Sequence, residues 1–325
     1  MTEGTATASS YRVRVVSRRM VSATVAEFVV ESASGESLPS WDPGAHIDVH
    51  IPDGSERQYS LCGNPTEPRT YRFAVLREPD GRGGSEWLHD RVHRGDELVV
   101  NGPRNNFGLA ESAPAYHLVA GGVGITPILA MASHLQSAGA GWRLTYLGRS
   151  RKTMAYLDEL ATLDETGDRV EILASDETER RDLAELLGHD APGTYVYACG
   201  PESLLEGLES AVADGARVSL HVERFAPRDR NALDEAGAPF EVELTVSGLR
   251  LTVPSGESIL DVAEKAGVPA PYSCREGTCG TCETRIVDGI ADHRDSILTT
   301  EERDANDYLM ICVSRSNTPR LVIEL

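Results

Sequence analysis

The sequence contains no apolar run close to the roughly 20 residues that a membrane-spanning helix needs, so we expect no membrane segment. Positive charge is also scarce, because 31 Lys and Arg stand against 51 Asp and Glu, a formal net charge of −20. A nucleic-acid partner requires clustered Lys and Arg, and the charge argues against one. Residues 1–10, "MTEGTATASS", lack the basic and apolar regions of a secretory signal. We expect a disordered N-terminus there and a cytoplasmic protein.

Four of the six cysteines lie in the C-terminal part of the chain, which indicates sulfur chemistry there. Cys274, Cys279 and Cys282 are spaced C-x4-C-x2-C, and Cys312 follows. This is the plant-type ferredoxin arrangement for a 2Fe–2S cluster. Structural zinc sites usually pair two C-x2-C motifs, and disulfides are rare in a reducing cytoplasm. The spacing favours the cluster, with zinc and disulfides as the alternatives.

Hydrophobic patterning divides the chain into three folded segments. Residues 11–110 read as short β-strands separated by turns, which is typical of a barrel or sandwich. Residues 111–228 alternate strand and helix, which predicts a parallel sheet. Residues 229–238 are polar and contain Pro and Gly, as expected of a linker. Residues 239–325 begin with a predicted hairpin and helix and contain the cysteine loop.

The motifs of these segments resemble a known family. They are "RQYS" at 57–60, "GPRNNFGL" at 102–109, "GGVGITP" at 121–127, "CGP" at 199–201 and the cysteine loop. Nearly the whole chain is similar to phthalate dioxygenase reductase and the vanillate demethylase reductase subunits, members of the ferredoxin–NADP reductase superfamily with a C-terminal ferredoxin. The resemblance implies a flavin-binding antiparallel β-barrel, a Rossmann-like nucleotide-binding α/β domain and a β-grasp ferredoxin.

The R-x-Y-S motif is the first half of the predicted flavin site. Alternation along a strand sends Arg57 and Tyr59 to one face and Ser60 to the other. Arg57 can make a forked, charge-assisted contact to a phosphate, and Tyr59 offers an aromatic face with a polar tip. The resemblance places the Ser60 hydroxyl near the flavin N5, the atom that accepts the hydride.

A glycine-rich turn is the second half of the predicted flavin site. Gly83, Gly84 and Ser85 lead into a predicted helix, whose N-terminal N–H groups favour an anion, and Ser85 is expected to act as a cap or a phosphate contact. Arg57 and this helix start can satisfy one phosphate, and no separate element for an adenosine half is evident. We therefore predict FMN, as the resemblance implies, with FAD as the alternative.

The predicted nicotinamide site follows a buried strand. Gly121, Gly122 and Gly124 allow the backbone to approach a pyrophosphate, and Thr126 opens the following helix. Pro127 stands where the Rossmann motif G-x-G-x-x-G has its third glycine, so the segment resembles the reductase superfamily instead.

The "CGP" motif is the other half of this site. The resemblance places Cys199 beside the nicotinamide and makes Gly200 and Pro201 cofactor contacts. In relatives an aromatic residue after the last strand packs against the flavin, which implies that role for Phe225 and a nearby position for Glu223.

The residues and the resemblance give different indications of whether the nucleotide is NADH or NADPH. An acid is expected after the second strand of an NAD site, but "GRSRK" places Arg149 and Arg151 there, where they could meet a 2′-phosphate. The resemblance implies NADH, and we predict NADH.

These parts predict an NADH-dependent oxidoreductase that passes electrons through FMN and the 2Fe–2S cluster to a terminal oxygenase. The resemblance implies a Rieske non-haem iron oxygenase and a monomeric reductase. An FAD-containing reductase that serves a haem monooxygenase is one alternative, and a non-redox zinc-binding protein is another. Residues 240–325 carry 15 acidic and 8 basic residues, so we expect an acidic face that meets a basic oxygenase surface.

Overall fold

The computed structural model describes residues 10–164, 166–179, 181–228 and 235–325. Residues 1–9 of the predicted disordered N-terminus and residues 229–234 of the predicted linker lie outside the described residues. Two compact units are present, Met1–Glu223 and Arg224–Leu325. Among the described residues, no helix combines the length and the apolar character that crossing a membrane requires.

The first part of unit 1 is a six-stranded antiparallel sheet in the order β4-β3-β6-β1-β2-β5. A bridge between Leu61 and Phe73 joins the end of β4 to β5 and closes the sheet into a barrel. One helix, α1 (Gly84–Arg91), follows β5. The strands are β1 (Tyr11–Met20), β2 (Val25–Ser32), β3 (His46–His50), β4 (Glu56–Ser60), β5 (Thr70–Leu76) and β6 (Glu97–Arg104). The predicted antiparallel barrel is confirmed.

A five-stranded parallel sheet in the order β11-β10-β7-β8-β9 forms the second part of unit 1. Every residue of β7 is buried, as expected for a parallel strand covered on both faces. Its strands are β7 (Tyr116–Gly121), β8 (Trp142–Gly148), β9 (Val170–Ala174), β10 (Tyr195–Cys199) and β11 (Ser219–Glu223). Its helices are α2 (Ile125–Ser137), α3 (Leu157–Leu163), α4 (Leu183–Gly188) and α5 (Glu202–Ala213). The predicted Rossmann-like architecture is confirmed.

Local backbone conformation sets where two helices beside this sheet begin. Helix α2 begins at Ile125, one residue before the predicted opening residue Thr126, because a 3-10 turn at Gly122–Gly124 leads directly into it, and Pro127 lies in its first turn. A proline is tolerated there, since the first N–H groups of a helix have no intrahelical acceptor. Helix α3 begins at Leu157, directly after Tyr156, which adopts a left-handed conformation with φ of 64°.

Unit 2 has a mixed sheet in the order β13-β12-β18-β14-β16. Strands β12 and β18 are parallel, and the other pairs are antiparallel, consistent with the predicted β-grasp fold. The elements are β12 (Phe240–Leu244), β13 (Leu249–Val253), α6 (Ile259–Lys265), β14 (Glu283–Asp288), β15 (Ala291–Asp292), α7 (Thr300–Ala305), β16 (Tyr308–Met310), β17 (Arg315–Ser316) and β18 (Arg320–Ile323). Helix α7 was not predicted. It has no buried residue, and a capping box between Thr299 and Glu302 starts it.

Candidate active site and cluster loop

Arg57 connects the R-x-Y-S strand to the glycine-rich turn. Its Nη1 donates to the Glu56 carbonyl at 2.8 Å and its Nη2 to the Arg82 carbonyl at 3.2 Å. The side chain passes so close to Gly84 that a Cβ there would lie 2.8 Å from the Arg57 Cγ. The structure therefore brings the two predicted halves of the flavin site together.

Tyr59 and Ser60 occupy opposite faces of β4, as strand alternation predicts. The Tyr59 ring stacks on Phe73 with centroids 5.6 Å apart, and burial raises the pKa of the Tyr59 hydroxyl. Ser60 is buried at the end of the strand. The barrel core holds the tyrosine ring, while the buried serine side chain lies on the other face of the strand.

The start of α1 differs in detail from the expectation. Gly83 is the N-cap, with φ of 80° and no side-chain cap. Ser85 lies within the helix, and its hydroxyl accepts from the Glu78 N–H at 3.2 Å. Ser85 is therefore not the cap; it fixes the preceding turn. The N–H groups that open α1 have no side-chain acceptor at the N-cap, which suits an anion.

The glycine turn after β7 and the "CGP" segment after β10 interlock. A Cβ on Gly124 would lie 2.2 Å from the Cys199 carbonyl oxygen, and a Cβ on Gly121 would lie 2.6 Å from the Pro201 ring. Gly200 is equally constrained, because its Cβ would lie 2.9 Å from the Gly121 Cα. Only glycines permit this approach, so the two predicted nicotinamide motifs form one surface at the carboxyl edge of the sheet.

Gly122 and Thr126 complete this turn. Gly122 has a positive φ of 55°, which favours glycine. The Thr126 side chain is buried, and its hydroxyl donates to the Val123 carbonyl at 3.0 Å. Thr126 therefore stabilises the turn into α2.

The Glu223 side chain contacts both the barrel and the parallel sheet. Its carboxyl hydrogen-bonds the Ser60 hydroxyl, and its Oε2 lies 3.9 Å from the Cys199 Sγ. Cys199 and Glu223 are register partners in the parallel pair β10–β11. Burial raises the pKa of Glu223 to about 8, although both hydrogen bonds oppose the rise. The carboxyl is consequently protonated at neutral pH.

Arg149 and Arg151 follow β8, as the sequence indicates. The Arg149 carbonyl accepts from the Asp176 N–H at 3.2 Å. The Arg151 Nε lies 2.9 Å from the Glu177 Oε2. The sequence reasoning missed Glu177, which follows the neighbouring strand β9. An acidic pair after a parallel strand is the signal that could have found it.

Phe225 lies two residues after β11 and leaves 45% of its surface exposed. It belongs to unit 2, whereas Ser60, Cys199 and Glu223 belong to unit 1. Its predicted contact with the flavin stays a prediction.

The four predicted cluster ligands are buried and in mutual contact. The Cys274 thiol hydrogen-bonds the thiols of Cys279 and Cys312, and Cys312 also contacts Cys282. The Glu276 N–H donates to the Cys274 Sγ at 3.3 Å. Four converging thiols with a backbone donor suit thiolate ligation of a cluster.

The wrapping of this loop depends on Gly277. Its φ is 70°, and a Cβ would lie 2.7 Å from the Val313 Cγ2 and 2.9 Å from the Asp295 Cα. Val313 follows Cys312 directly, so this packing holds the fourth ligand next to the loop that carries the other three.

Comparison with known proteins shows the family to which this chain belongs. Residues 118–210 match the profile of an oxidoreductase NAD-binding domain, and residues 242–317 match that of a 2Fe–2S iron–sulfur cluster binding domain. The phthalate dioxygenase reductase of Burkholderia cepacia is 37% identical over 97% of this chain and 97% of its own length. The chain belongs to the phthalate dioxygenase reductase family.

A further relative and two solved structures are also similar to this chain. The vanillate O-demethylase oxidoreductase of Pseudomonas putida is 38% identical over 96% of this chain and 98% of its own length. The solved structure of phthalate dioxygenase reductase gives a TM-score of 0.71 at 36% identity, covering 97% of this chain and 98% of that chain. An intact type IV self-sufficient cytochrome P450 monooxygenase gives a TM-score of 0.88 at 39% identity over 97% of this chain. That match covers 41% of the P450 chain.

The family consists of reductase components that pass electrons to partner oxygenases, so the predicted oxidoreductase function is confirmed. The match to the cluster-binding profile across the cysteine loop decides against the zinc alternative. Family membership supports the predicted cofactor set of FMN, NADH and a 2Fe–2S cluster.

Proposed function

We propose that this chain is an NADH-dependent reductase that holds FMN on its barrel, the pyridine nucleotide on its parallel sheet and the 2Fe–2S cluster in unit 2. The observation that carries the proposal is the meeting of Ser60 and Cys199 on one carboxyl, that of Glu223. Ser60 belongs to the proposed flavin strand and Cys199 to the proposed nicotinamide surface. A hydride donor and its acceptor must be adjacent, and these residues join the two sites.

The domain assignment follows from these motifs. We assign residues 11–110 to FMN, 111–228 to NADH and 239–325 to the cluster, with a linker at 229–238. Bound FMN would accept a hydride as an electron pair and release the electrons singly, which matches NADH to a one-electron cluster. Cys274, Cys279, Cys282 and Cys312 would ligate the irons.

The chain's own residues would orient the flavin and nicotinamide rings. Arg57 and the start of α1, with Gly83, Gly84 and Ser85, would hold the FMN phosphate, and Tyr59 would pack on the flavin. Ser60 would donate a hydrogen bond at the reacting edge of the ring. Phe225, half exposed just after β11, would cover the flavin where the nicotinamide enters.

The pyridine nucleotide would lie along the interlocked glycine segments. Gly121, Gly122, Gly124 and Thr126 would shape the pyrophosphate turn, and Cys199, Gly200 and Pro201 would border the nicotinamide. Arg149 would lie near the adenosine ribose. The ion pair between Arg151 and Glu177 supports NADH, because it offsets the positive charge that a 2′-phosphate would require.

The acceptor is proposed to be a separate Rieske-type oxygenase in the cytoplasm, met by a monomeric reductase that does not associate with membranes. The acidic balance of residues 240–325 supports a basic docking surface on the oxygenase. A haem monooxygenase is the second candidate acceptor, favoured by the match to a self-sufficient cytochrome P450 monooxygenase.

Anaerobic reduction of the purified holoprotein tests the proposal. We expect NADH to bleach flavin and iron–sulfur absorbance in sequence, acid treatment to release a flavin with the mass of FMN, and kcat/KM to favour NADH over NADPH. Loss of colour with NADPH but not with NADH would refute NADH as the electron donor. Release of FAD would refute FMN as the flavin. Assays with a Rieske oxygenase and a cytochrome P450 would identify the acceptor class.

A further inference from the structure

A continuous series of buried contacts joins the pyrophosphate turn to the flavin strand. The Tyr146 hydroxyl donates to the Gly122 carbonyl at 3.0 Å, and the Ala155 N–H donates to the same hydroxyl at 3.1 Å. The next residue, Tyr156, places its own hydroxyl 3.4 Å from the Cys62 Sγ. Cys62 lies two residues after Ser60. The contacts therefore link one proposed cofactor site to the other.

An ion pair braces the same junction. Arg72 on β5 binds Glu159 on α3 through two hydrogen bonds, of 2.9 and 2.8 Å. The Arg72 Nε donates to the Cys62 carbonyl at 3.0 Å, and its guanidinium lies over the Tyr156 ring, 5.5 Å from the centroid. A forked arginine–carboxylate pair constrains orientation as well as distance.

The members of this series are rigidly held. Cys62, Tyr146, Ala155 and Tyr156 are all buried, and Tyr156 adopts its left-handed backbone conformation at the start of α3. Burial raises the pKa of the Cys62 thiol to about 11 and also raises that of the Tyr156 hydroxyl. Both groups remain protonated, so their hydrogen bond persists through the neutral range.

We propose that Tyr146, Tyr156 and Cys62, braced by the pair between Arg72 and Glu159, form an interdomain strut that sets the separation of the nicotinamide and flavin rings. This inference rests on the proposed function, because the strut positions groups for hydride transfer and touches neither ring. The five side chains are positioning residues. A rigid link is advantageous because an error of about 1 Å in a reacting geometry can cost about 100-fold in rate.

Tyr156→Phe is the decisive variant, because it removes the hydroxyl and keeps the ring. We expect the limiting rate of flavin reduction by NADH to fall about 10-fold or more, while the dissociation constant of NADH changes less than about 2-fold. The long-wavelength charge-transfer absorbance between the two rings should fall in parallel. Anaerobic stopped-flow spectroscopy at several NADH concentrations separates the two constants.

Tyr71→Phe is the matched control. Tyr71 is another buried tyrosine of unit 1, and its hydroxyl donates to the Pro39 carbonyl outside the strut. The Tyr71→Phe variant should lose about as much stability as Tyr156→Phe does, but its limiting rate of flavin reduction should equal that of the wild type. Cys62→Ser, which retains a hydrogen-bonding group, should approach the wild type, whereas Cys62→Ala should behave like Tyr156→Phe.

The outcomes separate the two proposals. A wild-type protein whose flavin NADH does not reduce would refute the proposed function. A wild-type rate and charge-transfer band in Tyr156→Phe would overturn the strut alone. If Tyr156→Phe lost its flavin, Glu159→Gln would decide by the same criteria, because it keeps the side-chain size and removes the charge that Arg72 binds.

Discussion

The Cys199 Sγ lies 3.9 Å from the Glu223 Oε2, and the two residues are register partners at the carboxyl ends of the adjacent parallel strands β10 and β11. The same carboxyl binds the Ser60 hydroxyl of β4. A carboxyl whose pKa is raised by desolvation and that contacts two candidate sites is typical of functional sites. The arrangement therefore joins two proposed cofactor sites through one proton-carrying group.

Glu223 should make stability depend on pH. The pKa of its carboxyl rises from 4.5 to about 8 on folding, so the folded chain keeps a proton that the unfolded chain releases within this window. The free energy of unfolding should fall as pH rises from 4.5 towards 8. Glu223→Gln should lack this contribution, and denaturant titrations across the window measure it. The exposed Glu206→Gln is the control, and equal slopes for Glu223→Gln and wild type would contradict the prediction.

Cys279→Ser should abolish the cluster without abolishing flavin reduction. A serine hydroxyl is a poor substitute for a thiolate on iron, so iron and acid-labile sulfide should be lost. NADH should still reduce ferricyanide through the flavin, while reduction of a one-electron protein acceptor should stop. Cys199→Ser is the matched control, since it changes another buried cysteine and should leave iron and sulfide unchanged. Full sulfide content in Cys279→Ser would refute the ligand assignment.

Gly124→Ala should damage the nicotinamide surface. Its Cβ would lie 2.2 Å from the Cys199 carbonyl oxygen, so the two glycine segments must separate. We expect a loss of about 1–3 kcal/mol in stability and a higher KM for NADH. Gly141→Ala, where no atom lies within 4 Å of the added Cβ, should change neither quantity. Unaltered NADH kinetics in Gly124→Ala would argue against the proposed site.

Arg57→Gln should weaken flavin binding. A charge-assisted hydrogen bond contributes about 1.5–3 kcal/mol, which corresponds to roughly 10- to 100-fold in affinity for FMN. Fluorescence titration of the flavin-free protein with FMN measures this change. Arg77→Gln removes a barrel arginine that pairs with Asp90 and Glu86, and it should bind FMN as the wild type does. Equal affinities in the two variants would contradict the phosphate role of Arg57.

Glu177→Gln should relax the preference for NADH. It leaves Arg151 without its carboxylate partner, 2.9 Å away in the wild type, and so frees a positive charge for a 2′-phosphate. Since the pair is exposed, we expect the NADPH-to-NADH ratio of kcat/KM to rise only about 2- to 5-fold. Steady-state assays with both nucleotides check this, and Glu171→Gln, within the preceding strand β9, is the control. A ratio that stays constant would show that Arg151 does not approach the ribose.

The sequence by itself determined the features that depend on local order. Three cluster ligands lie within one short loop, so their spacing was readable directly from the sequence. The division into a β-rich segment and a segment of alternating strands and helices was also readable, because hydrophobic periodicity is local, and it matches the two sheets of unit 1. Helix α7 was not predicted, because it buries no residue and its sequence therefore has no apolar periodicity to indicate a helix.

Tertiary structure alone decided the contacts on which the proposed chemistry depends. Ser60, Cys199 and Glu223 are far apart in sequence. They meet because β11 pairs with β10 in the parallel sheet and because the Glu223 carboxyl reaches the Ser60 hydroxyl at the end of β4. The pairing of Arg151 with Glu177 likewise requires β8 and β9 to be parallel neighbours. Local patterns specify strands and turns, whereas strand order and register arise from burial across the whole core, and these set which distant side chains touch.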